Sequence, residues 1–131
     1  MGVAAKKETE LVLSTLGHTW ILDLDGTIVK HGGYLTDGKD SFLPNAEEFL
    51  KAIPEGDMIL FLTSRTEKER ELTEAFLKEN HVRYDQIIYG APYGERILMN
   101  DKKPSGMITA MAVSGERNVC EEWKIRLSED I

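Results

Sequence analysis

Asp23 and Asp25 stand one residue apart at the end of an apolar run, in the stretch WILDLDGTIV. Ile21, Leu22, Leu24, Ile28 and Val29 favour burial, and the two aspartates do not. On an extended backbone, side chains at i and i+2 leave the same face, so both carboxylates point together out of the core. Two other apolar runs end in polar residues. DMILFL leads into Thr63, Ser64 and Arg65, and ILM leads into Asn100, Asp101, Lys102 and Lys103. Carboxylates gathered at one place repel unless positive charge sits among them. A hard divalent cation meets that need. Asp23, Asp25 and Asp101 are therefore the expected ligands of Mg2+, which takes carboxylate oxygens and leaves positions for water and phosphate. His18, His31 and His81 are scattered and Cys120 is the single cysteine, so the pattern gives no zinc site.

For these tips to meet, the runs must be parallel strands of one sheet. Residues 19–24, 57–63, 84–90 and 95–101 read as buried strands, with 107–113 as a fifth strand or a helix start. Pro44 and the acids after it open a helix that Pro54 and Gly56 close. Thr66 and Glu69 form a capping box before ELTEAFLKEN, whose buried stripe is expected at Leu72, Phe76 and Leu77. Residues 26–43 carry four glycines and read as turns and a hairpin. Residues 11–16 are a short apolar stretch that reads as a strand or a helical turn, interrupted by Gly17, and EEWKIRLSEDI is ambiguous. Strands alternating with helices predict an α/β sheet with right-handed crossovers. In such a sheet, ligands bind beyond the carboxyl ends of the strands.

The 131 residues suit one domain, 1–131. A net charge of −7 argues against nucleic acid, because an acidic chain gains nothing from releasing phosphate counterions. One cysteine permits no disulfide framework within the chain. The opening MGVAAKKETELVLSTLG lacks the apolar core of a secretory signal, and no stretch reaches the length of a membrane span. The expectation is a cytoplasmic protein with no nucleic-acid or membrane partner. Trp20, Trp123, Met107, Met111 and Cys120 are expected to pack.

With these residues in order, DLDGT at 23–27 resembles the first motif of the haloacid dehalogenase-like (HAD) superfamily, in its phosphatase branch. FLTSR at 61–65 resembles the second motif, and LMND at 98–101 the fourth. The resemblance covers roughly residues 18 to 113. It implies a three-layer, Rossmann-like parallel sheet flanked by helices. It also implies a magnesium-dependent phosphomonoester hydrolase working through an aspartyl-phosphate. Asp23 would be the nucleophile. Asp25 would be the general acid and base, with its backbone carbonyl on the metal. Thr63 would bind a phosphoryl oxygen and Asp101 the metal. Gly26, Ser64, Arg65 and Lys102 are expected around the substrate, with the Gly26 backbone amide helping to cradle phosphate.

Two departures from the family pattern stand out. The third-motif lysine is missing from YGAPYGE, where Ala91 stands in its region, and Lys103 or Lys102 is the expected replacement. Asn100 occupies the first of the usual two acids. Too few residues separate the motifs for a cap domain, so GTIVKHGGYLTDG reads as a short flap over an open site. Capless members suit bulky substrates, or closure by a partner subunit in a homo-oligomer. The chain is similar to small bacterial phosphatases of sugar and polysaccharide synthesis, which implies a phosphosugar or a similar small phosphorylated metabolite as substrate. Two other enzyme classes fit less well. A mutase needs a lid to exclude water, and a dehalogenase has no use for Asp25. A non-enzymatic HAD-fold binding or regulatory module is the alternative, supported by the missing lysine and by Asn100. In blander readings, Asp25-Gly26 is only a turn, Thr63-Ser64 only a helix cap, and Lys102-Lys103 only a solvated pair.

Overall fold

Two short apolar runs, TWIL and MILFL, form neighbouring parallel strands. The structure is a computed structural model and describes residues 8–131. Strand β1 is Glu8–Leu13 and β2 is Thr19–Leu22. Helix α1 (Gly33–Thr36) is a single turn, and α2 is Ala46–Ala52. Strand β3 is Met58–Leu62, and α3 (Arg70–Glu79) follows a 3-10 turn at Glu67–Glu69. Strand β4 is Gln86–Ile88 and β5 is Glu122–Leu127.

The result is a small α/β protein with parallel sheets flanked by helices. One sheet runs β2-β3-β4. Its register sets Leu22 opposite Phe61 and Leu62 opposite Ile88, so the chain leaves β2 and β3 side by side at one edge. Ile59 and Phe61 are fully buried and alternate with residues that are more exposed, so β3 presents one well-covered face. The core beneath is built from Leu24, Ile28, Phe49, Ile59, Phe61 and Leu77. Trp20 and Trp123 pack against it, as expected from their size. Cys120 is also buried there.

The capping box forms as predicted. Thr66 Oγ1 accepts from the Lys68 amide at 3.3 Å, and the Glu69 carboxylate accepts from the Thr66 amide at 3.0 Å. In α3, Leu77 is buried and Phe76 half-buried, but Leu72 is exposed and Thr73 takes the buried place. The polar interior described below selects that face.

Three expectations about the sheet are corrected. The strands do not form one sheet, because β1 and β5 pair in parallel as a separate two-stranded unit, Glu8 opposite Glu122 through Leu13 opposite Leu127. The ambiguous C-terminal stretch is therefore a strand. Residues 95–101 and 107–113 are neither strand nor helix. They lie among turn-formers, Pro92 and Gly94 before the first and Pro104 and Gly106 between the two, and neither has a ladder partner. Ile97 is 81% exposed and Met99 88%. Met111 is likewise exposed rather than packed. Among the described residues, no helix is long and apolar enough to cross a membrane.

Candidate functional site

The loop after β2 is wound tightly by its own backbone. The Leu24 carbonyl accepts from the amides of Ile28 at 3.0 Å and Val29 at 3.1 Å, and the Gly26 amide donates to the Val29 carbonyl at 2.7 Å. Gly26 sits at φ 83°, a left-handed conformation that glycine adopts without steric penalty. Its carbonyl accepts from the Asn118 amide at 2.8 Å, while the Asn118 side chain accepts from the His31 amide at 2.7 Å. Residues 117–118 thus clip the loop from outside. The Gly26 amide, expected to face phosphate, is committed inside the loop instead.

This winding sends the two aspartates to different partners. Asp23 is partly exposed. Its carboxylate accepts from Thr27 Oγ1 at 3.1 Å and forms a 3.5 Å ion pair with Arg96 Nη1. Arg96 also donates to Ser64 Oγ at a long 3.4 Å. Both partners of this ion pair are about one-third exposed, so it is a weak, solvent-screened contact.

Asp25 points into a polar interior. Arg65 Nε donates to Asp25 Oδ2 and Arg65 Nη2 to Asp25 Oδ1, each at 2.9 Å. On its other side the same guanidinium grips Asp40, Nη1 to Oδ2 at 2.9 Å and Nη2 to Oδ1 at 2.8 Å. Nη1 also donates to Thr73 Oγ1 at 2.8 Å. The Tyr34 ring lies 4.4 Å from the guanidinium carbon, a cation–π stack. The Gly32 amide adds a 3.3 Å bond to Asp25 Oδ1. Burial pushes the Asp25 carboxyl up, but the hydrogen bonds and charge of Arg65 and the Gly32 amide outweigh it and hold the group below the usual carboxylate range.

At the end of β3, Thr63 is fully buried and its hydroxyl accepts from the Arg65 amide at 3.0 Å. Ser64 is half-buried next to it, within reach of Arg96.

The structure therefore brings together Asp23, Asp25, Thr63, Ser64 and Arg65, as the sequence suggests, but it assigns Arg65 differently. Arg65 is not a substrate clamp. Its side chain is 2% exposed and all five of its N–H donors are used by Asp25, Asp40 and Thr73.

Asp101 lies in the exposed loop after 95–100, where its amide bonds to the Asn100 side chain at 3.1 Å and its carbonyl accepts from Thr109 Oγ1. Lys102 and Lys103 lie in the same exposed loop. The Lys103 carbonyl closes a turn onto the Gly106 amide at 2.8 Å, and neither lysine forms an ion pair with Asp23 or Asp25. The positive charge beside Asp23 comes from Arg96.

Magnesium does not fit the residues as they stand. Among the described residues no three carboxylate, imidazole or thiol groups gather around one point. Arg65 holds both carboxylate oxygens of Asp25, which leaves the backbone carbonyl implied by the resemblance as its metal contact, and Asp101 lies in an exposed loop.

Sequence reasoning missed Arg96, Asp40 and Thr73. Arg96 had a signal, a basic residue just upstream of LMND. Asp40 and Thr73 had none, because only the fold shows what their side chains meet. A shallow cleft of about 530 Å³ opens beside the cluster, lined by Tyr34, Asp40, Phe42, Leu72 and Phe76 among others. It lies between the 34–42 segment and α3, apart from Asp23.

No family model, no curated protein and no solved structure matches the chain. The class that fold and site define is a small parallel α/β protein with a paired-aspartate loop at the carboxyl edge of its sheet.

Proposed function

We propose that the protein is a phosphomonoester hydrolase of the HAD type, acting through an aspartyl-phosphate on Asp23. The observation that carries this reading is the division of labour between the two aspartates. One carboxylate is partly exposed beside a loosely held arginine, and its neighbour is fixed in place by a buried one. A phosphate dianion meets Arg96 and the Ser64 hydroxyl at the same edge, and can take Arg96 from its weak pairing with Asp23. An Asp23 oxygen then attacks phosphorus as the phosphorus–oxygen bond to the leaving group breaks. As general acid, Asp25 must be protonated with one oxygen released from Arg65, and that oxygen's proton passes to the leaving oxygen. Ionised Asp25 takes one from the water that hydrolyses the acyl phosphate, restoring Asp23 and releasing phosphate. The pairing with Arg65 favours the second of these states. A phosphosugar or similar small metabolite remains the proposed substrate, on the strength of the resemblance and the open site.

Magnesium belongs to this proposal only together with Asp101. β2 is an edge strand, and its unpaired side is where the 95–101 run would lie to bring Asp101 beside Asp23. When bound, the ion would neutralise phosphate charge, and no step above depends on it.

The test is phosphate release from 4-nitrophenyl phosphate and from a panel of phosphosugars, with and without magnesium. Asp23→Asn is expected to abolish turnover, and Asp25→Ala to slow it by roughly 10²–10⁴-fold. An unchanged rate in Asp23→Asn refutes the nucleophile. The scattered Asp101 supports a second reading, a binding or regulatory module on this scaffold. Magnesium or phosphosugar binding by calorimetry, without turnover of any ester, decides for it.

A further inference from the structure

We propose that Asp40 is a positioning residue for Asp25, acting through the guanidinium of Arg65. The inference rests on the reading of Asp25 as the proton-transfer group. Arg65 offers a planar fork with two usable edges. One edge, Nε with one Nη2 proton, holds both oxygens of Asp25. The other, Nη1 with the second Nη2 proton, is held by both oxygens of Asp40. Asp40 therefore fixes the plane in which the fork meets Asp25. Without it, the far edge retains only the bond from Nη1 to Thr73 Oγ1. The guanidinium can then turn about its own bonds, and the carboxylate opposite loses its paired geometry.

Asp40 itself is buried and reaches Arg65 from the segment that Asp25 begins. That segment folds back antiparallel, with Val29 bridged to Phe42 and the Lys30 amide bonded to the Ser41 carbonyl at 3.0 Å. Tyr34, from the same segment, covers the guanidinium face at 4.4 Å. Residues 26–38, which read as a short flap in the sequence, form a wall, and Asp40 just beyond it sets the aim of the Asp25 carboxylate just before it.

The experiment compares the full chain with Asp40→Asn and Asp40→Glu on two esters, glycerol 2-phosphate and 4-nitrophenyl phosphate. An alkoxide leaving group needs a proton delivered, and a nitrophenolate hardly does. Asp40→Asn is expected to lower kcat on glycerol 2-phosphate about 10²-fold with KM little changed. The loss on 4-nitrophenyl phosphate is expected to be far smaller, and Asp40→Glu to recover part of it. Equal losses on both esters, or no loss on the alkyl ester, overturn the proposal. A crystal structure of Asp40→Asn gives a readout independent of turnover. Asp25 is expected to leave the guanidinium edge or to occupy more than one rotamer, and an unmoved Asp25 overturns the proposal. Should the unaltered protein cleave neither ester, the hydrolase reading falls, and the crystal structure alone decides the positioning.

Discussion

Asp57 ties together the end of the sheet opposite the paired aspartates, and it does so with one buried carboxylate. It accepts from the His18 amide at 3.1 Å and from Trp20 Nε1 at 2.9 Å, and it lies 2.8 Å from His18 Nδ1. Burial pushes the Asp57 carboxyl up, but the Trp20 and His18 hydrogen bonds overcome it and leave the group below its ordinary value of 3.8. The native state therefore binds fewer protons here than the unfolded chain. The stabilisation is fully present above that ordinary value and fades as pH falls through the lowered native one. Asp57→Asn is expected to cost about 1–3 kcal/mol at neutral pH, with the gap to the unaltered protein narrowing below about pH 4. Urea midpoints of both proteins across that range measure it, and a gap that stays constant would assign the loss to shape rather than charge. Sequence alone singled out Asp23 and Asp25 because their spacing is local. It gave no reason to choose Asp57, whose partners lie almost forty residues upstream.

Elements whose signals are local were legible, and those that depend on a distant partner were not. The Thr66–Glu69 box marks the start of the 3-10 turn and α3 where the sequence puts it, because both halves of the motif lie within one turn. Thr66→Ala removes the hydroxyl that accepts from the Lys68 amide and is expected to cost about 1 kcal/mol. Thermal unfolding of that variant beside Glu69→Gln checks it. A Thr66→Ala protein as stable as the parent would mean that packing of Phe76 and Leu77 holds α3 without the box. β5 is the opposite case. Glu122–Leu127 mixes charged and apolar residues, and its register is set wholly by β1 at the other end of the chain. The 95–101 run shows the converse error. Its apolar residues have strand character, but strand propensity without a partner builds no ladder.

At the scale of the molecule, stability is expected to be uneven, and the unevenness bears on the site. β3 is paired on both sides and carries Ile59 and Phe61 into the core, so its amides open only with most of the structure. The chain from 92 to 113 has no strand or helix, and it exposes Ile97, Met99, Ile108 and Met111 to solvent. Hydrogen exchange of the full chain is expected to show Met58–Leu62 exchanging slowest and residues 95–101 close to the rate of an unstructured peptide. The comparison turns on pairing, because MILFL is paired on both sides whereas Ile97, Leu98 and Met99 within ERILMND have no partner strand. Protection of 95–101 comparable to β3 would mean that this run occupies the open edge of β2 in solution. Asp101 would then stand at the carboxyl edge with Asp23, and the carboxylate trio inferred from the sequence would exist after all. Fast exchange would leave Asp23 with Arg96 as its one charged partner among the described residues, and the chemistry of the site would rest on that arginine.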